Sequence, residues 1–140
     1  MILHCNFEEL RALTAGGRSL LERDSEGHAP VLAPAESRGT VEALLPRLTG
    51  DLSVASLAEA WAVQASVRAI VECLHAEMEA TILATHAADE SAVAAYFDFA
   101  HALSVFHRLH EMVTEMEALV ELVTGEPADE ETARTFRFPD

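Results

Sequence analysis

Residues 51–124 read DLSVASLAEAWAVQASVRAIVECLHAEMEATILATHAADESAVAAYFDFAHALSVFHRLHEMVTEMEALVELVT, and this stretch decides the fold. It contains no glycine and no proline, although Pro46 and Gly50 precede it and Gly125 and Pro127 follow it. One heptad frame runs from end to end. Its a positions include Leu57, Val71, Met78, Phe99, Phe106, Val113 and Val120. Its d positions include Ala60, Val67, Leu74, Ala102, Leu109, Met116 and Val123. Apolar residues at this spacing imply helices packed along a long seam.

The seam is weakest at Thr81, Thr85 and Ala88, and Asp89 and Ser91 are the N-cap types nearby. The stretch therefore predicts an antiparallel helical hairpin, about 54–86 and 90–123, in preference to one continuous rod of ~70 residues. The register preserved across the junction argues for the rod. The flanking positions argue for a bundle. Trp61, Ile82, Tyr96 and Leu103 fall at e, and Val63, Ile70, Val105, Met112 and Leu119 at g. A two-stranded coiled coil places charges there, so this apolar stripe is too wide for a single partner helix.

Outside the hairpin, Asn6 and Glu9 form a capping-box pattern that opens a first helix at Phe7. Phe7, Leu10, Leu13, Leu20 and Leu21 fall roughly on one face. Gly16-Gly17 either interrupts this helix or marks a close approach of another backbone. Residues 24–39 read as a linker, and a short helix from about Val41 to Leu48 contains Pro46. Ser56 and Glu59 repeat the capping-box pattern. Residues 1–5 and the alternating tail Phe136-Arg137-Phe138 could pair as a two-stranded ribbon. The expected organisation is one mainly all-α domain, 1–140. It comprises short N-terminal helices and linker (1–50), the hairpin (51–124) and a C-terminal tail (125–140).

Composition narrows function by exclusion. Half the residues are hydrophobic, enough to fold. The formal charge is −15, which disfavours nucleic acid and anionic membranes as partners. All nine basic residues are arginine, so there is no lysine for a Walker A loop or a Schiff base. This Lys-free, Ala- and Arg-rich usage fits a GC-rich bacterial genome. Cys5 and Cys73 form no CxxC pair, and the N-terminus has no signal-peptide pattern. No 18-residue apolar run spans a membrane. A cytoplasmic location is expected.

The chemistry-bearing candidates are few. Glu72 and His75 form an ExxH with Glu79 one turn further on, a spacing that ferritin-like bundles use for metal. His107, His110 and Glu111 lie on the other helix and could join them. Against this, Glu72, Glu79 and His107 fall at outer b positions and Glu111 at f, where charges are normally solvated, and Arg68 can pair with Glu72. Only His75 and His110, at e, could turn inward. Carboxylates beside Cys73 disfavour a thiolate. Phe99 and Phe106 read as core, whereas Phe97 lies off the seam.

The expected function is non-enzymatic: self-association, with a homodimeric bundle as the specific form, or docking on a protein partner, without cofactor. Its interface would include Trp61, Phe97, Val105, Met112 and Leu119. The g stripe is a partner surface only if the N-terminal helices leave it bare. The alternative is a transition-metal site formed by Glu72, His75, Glu79, His107, His110 and Glu111.

Overall fold

The structure is a computed structural model that describes residues 1–25, 35–85 and 89–138. Of the expected linker at 24–39, residues 26–34 lie outside the described residues, as do 86–88 with His86, while its two ends are helical, 24–25 closing the first helix and 35–39 opening the second. The chain begins with β1 (Ile2–Leu3) and α1 (Phe7–Ser25). Next come α2 (Ala35–Leu44), a 3₁₀ turn at Leu45–Arg47 and β2 (Leu52–Ser53). The hairpin helices are α3 (Leu57–Thr85) and α4 (Glu90–Thr124), and α5 (Glu130–Thr135) follows. α3 and α4 share the most extensive contact in the molecule. The antiparallel hairpin is formed, and its ends fall within three residues of the expected bounds.

The caps explain where the helices begin. The Asn6 side chain accepts from the Glu9 amide at 2.8 Å, and the Glu9 carboxylate accepts from the Asn6 amide at 2.9 Å. Asp89, in extended backbone, accepts from the Ala92 amide at 2.9 Å and opens α4. Ser56 accepts from the Glu59 amide, but Glu59 reaches back to the amide of Ala55 instead of Ser56. Gly125 closes α4 at φ 76°, a conformation that costs glycine little.

One cluster of buried side chains draws on all five helices and both strands. α1 lies across both α3 and α4, α2 packs on α3 and α1, and α5 packs on α3. The Gly16-Gly17 pair does not break α1. A Cβ at Gly16 would stand 2.7 Å from Ile70 Cγ2 and 2.9 Å from Leu74 Cγ, so glycine here allows α1 to sit down on α3. Phe7 departs from the expected apolar face and is 76% exposed. It lies roughly 120° around the helix from Leu13, which is fully buried.

The ribbon forms with a different partner. β1 pairs antiparallel with β2, Ile2 opposite Ser53 and Leu3 opposite Leu52. The C-terminal tail pairs with the residues just after β2, through a Ser56–Arg137 bridge and the Phe138 amide donating to the Ala55 carbonyl at 2.9 Å. The segment 52–56 thus lies between both ends of the chain. Leu52, Val54 and Phe138 are buried there, an apolar supply that residues 1–5 alone could not match. Among the described residues, no helix is long and apolar enough to cross a membrane.

The two kinds of glycine give opposite expectations. Gly16→Ala should lose about 1–2 kcal/mol in urea denaturation, because overpacking outweighs the gain in helix propensity. Gly39→Ala, in α2 with nothing within 4 Å of the added Cβ, should gain about 0.5–1 kcal/mol. A stabilised Gly16→Ala would contradict the close approach of α1 and α3.

Candidate functional site

The two flanking stripes of the hairpin have opposite fates. The g stripe is covered except at Leu119: Val63, Ile70 and Val105 are buried where the N-terminal helices lie. The e stripe, on the other side of the seam, has no helix over Tyr96, Phe99, Leu103 and Phe106 among the described residues. Contacts across this open face hold a constant register. Gln64 Nε2 meets His110 Nδ1 at 3.0 Å, and the Arg68 guanidinium lies 5.6 Å from the centre of the Phe106 ring. Two turns further, the His75 and Phe99 rings are 5.2 Å apart, and at the far end Trp61 Nε1 reaches one turn out of that register to donate to Glu117 at 2.9 Å. Val71 and Leu103 fill the middle.

The open face is therefore an apolar strip with a polar margin. Phe99 and Phe106, read from the sequence as core, are only half-buried, and they form the floor of this strip. Tyr96 is 53% exposed beside them. A shallow groove of about 340 Å³ runs along α4 here, from Tyr96 and Phe99 past Leu103 to His107.

The interface residues expected from the sequence divide accordingly. Val105 is corrected: it is fully buried within the chain, because α1 occupies the g side. Met112 is half-covered on that same side. Trp61 borders the open face, Phe97 is exposed on the outer side of α4, and Leu119 is exposed near its C-terminal end. The heptad frame contained Tyr96 and Leu103 at e, but nothing in it said which flank the N-terminal helices would choose.

The metal candidates are only partly brought together. His75 Nε2 lies 3.5 Å from Glu79, and both are solvent-exposed. Glu72 is half-buried on the same helix, and His107 and Glu111 point to solvent on α4. His110 stacks on Phe106 and meets Gln64. Among the described residues, no group of three or more His, Cys, Asp or Glu side chains is gathered closely enough to hold a metal ion.

A charge pair missed in the sequence locks α1 to α4. Glu9 is 4% exposed, and Arg108 donates to both its oxygens, at 2.7 and 2.9 Å. Arg108 also donates to the His4 carbonyl and to Ser104. Burial would raise the Glu9 carboxyl, but the Arg108 hydrogen bonds, the Asn6 amide and the Arg108 charge outweigh it and hold it below its ordinary value. Only the Glu9 cap was visible locally, since its cation lies 99 positions away.

Cys73, at an outer heptad position, is nonetheless buried beneath the N-terminal helices. Burial pushes its thiol up to about 11, and neighbouring Glu77 adds to the rise. Glu77 is itself held by Ser19 and by Arg23 at 3.2 Å. This is poor ground for a thiolate nucleophile. Compared with known protein families, curated proteins and solved structures, the chain shows no significant match.

Arg108→Ala strands the Glu9 carboxylate and should cost about 2–3 kcal/mol, the low side for a broken buried pair because the guanidinium is part-exposed. The pair's contribution is present above the unfolded carboxylate pKa and is lost as pH falls through the depressed folded value. Glu9→Gln should therefore flatten the acid limb of a stability–pH profile; an unchanged limb would count against the pair. Cys73 should react with an aromatic disulfide reagent at about pH 8 only as fast as the protein opens, with the rate rising on addition of urea.

Proposed function

We propose that this protein is a non-enzymatic self-association module of the bacterial cytoplasm, forming a homodimer through the open e-side face of α3 and α4. The observation that carries this reading is the strip in which Tyr96, Phe99, Leu103 and Phe106 stand beside α3 with no helix above them among the described residues. An exposed apolar strip with a polar margin is the usual sign of an association surface. Covering it with the same face of a second copy builds a four-helix core from two hairpins.

The margin suits self-pairing. It carries Arg68, His75 and His110 as well as Glu72, Glu79 and Glu117. A two-fold that reverses the helices about Val71 carries Arg68 of one copy onto the Glu72–His75 turn of the other. The net charge of −15 opposes association at long range, and salt screens that repulsion while leaving apolar contact intact. The free cysteines agree with a reducing compartment.

The metal-bundle alternative retains one favourable observation, the His75–Glu79 pair on the margin of this same face. A second copy would have to supply further ligands.

Native mass spectrometry and sedimentation equilibrium on untagged protein, prepared without chelator, test both readings. The expected species has twice the 15.2 kDa subunit mass and no added metal. Dimerisation should tighten between about 20 and 300 mM NaCl. Tyr96→Glu should weaken it at least about tenfold, equivalent to ~1.4 kcal/mol, with an unchanged circular dichroism spectrum. A monomer at about 100 µM across that salt range removes the homodimer reading. Bound transition ions lost on His75→Ala would favour the alternative.

A further inference from the structure

The end of α4 carries a second surface, remote from the strip between Tyr96 and Phe106. In the register set by the Gln64–His110, Arg68–Phe106 and His75–Phe99 contacts, Leu57 stands opposite Glu117. Leu57 is the first residue of α3, so residues 118–124 project past it by about two turns. Val120 in this overhang is buried, but Leu119, Leu122 and Val123 are 37%, 81% and 61% exposed. On one helical stripe Glu115 precedes Leu119 by a turn, and Glu126 follows just past the end of the helix at Gly125.

Along α4 and the turn that follows it the charge has one sign, and the next cations are Arg134 on α5 and Arg137 on the tail. Residues 111–131 contain eight carboxylates and neither arginine nor histidine, and all eight carboxylates are exposed. The last turn of α4 itself has no basic residue to offset the negative end of the helix dipole. An apolar stripe bracketed by acids and lying at a helix C-terminus is complementary to one kind of occupant. That occupant presents apolar side chains on one face and arginine or lysine on the flanks. A second copy of this tip would set acid against acid, and nucleic acid or an anionic membrane would be repelled.

We propose that the overhanging end of α4, centred on Leu119, Leu122 and Val123, is a docking site for a basic amphipathic helix of a partner protein. The apolar side chains supply contact, and Glu115, Glu121 and Glu126 set orientation and speed encounter. The apolar centre of the site lies beyond the dimer strip, which it meets only at Glu117, so either can fail without the other.

The test uses the full chain and a labelled peptide of about 18 residues, with leucine at helical spacing on one face and arginine elsewhere. Fluorescence anisotropy should show saturable one-to-one binding that weakens with salt. Leu119→Ser with Leu122→Ser should raise Kd at least about tenfold, and Glu115→Gln with Glu121→Gln at least about fivefold. Tyr96→Glu, on the other face, should leave Kd within about twofold. A peptide of equal charge with serine in place of every leucine should bind at least about tenfold more weakly. The proposal is overturned if that serine peptide binds as well, if the leucine variants bind as the parent does, or if Tyr96→Glu abolishes binding.

Discussion

The antiparallel seam between α3 and α4 is the constraint on which the rest of the structure depends. The two helices run for 29 and 35 residues, about 43 and 52 Å, without glycine or proline. Small side chains at the seam, Ala60 and Ala102 among them, are fully buried and let the helices come close, while Val67, Leu109 and Met116 fill the space between. Every other element is placed relative to this pair. α1 needs a groove with two walls, α2 and α5 need the outer surface of α3, and the ribbon segment 52–56 leads into α3 at Leu57.

A two-helix seam has two flanks, and the N-terminal region can cover only one. The choice falls on the g side for identifiable reasons. Gly16 removes the side chain that would hold α1 off Ile70 and Leu74. Arg108, on the same side of α4, grips Glu9 at the start of α1, and Arg11 reaches Asp98 at 3.1 Å. These contacts join residues far apart in the chain, and their combined effect is directional: α1 cannot satisfy them from the e side. The aromatic strip is left bare as a consequence, and so is the Leu119–Leu122–Val123 face of the α4 overhang, although Val120 beside it is buried.

The hairpin was legible in the residues themselves. Heptad spacing, the weak seam near Thr81 and the cap at Asp89 are local signals. Local rules also located the Asn6–Glu9 box and the thiol-raising neighbourhood of Cys73. The association surface was legible only as an alternative, since both flanking stripes are apolar and periodicity treats them alike. Val105 and Phe106 illustrate the limit. They are adjacent in sequence and similarly apolar, yet one is fully buried under α1 and the other faces the open strip.

The sequence by itself determined the first helix and its cap, the antiparallel hairpin and the acidic character, because each depends on neighbours within a turn or two, whereas α5 and the first turns of α2 read locally as tail and linker. Only the tertiary structure decided which flank of the hairpin is covered, which segment pairs with each chain end, and that the buried Glu9 has a cation partner. The physical reason is the same in all three cases. These outcomes depend on side chains brought together from distant parts of the chain, and their spacing in sequence carries no trace of that meeting.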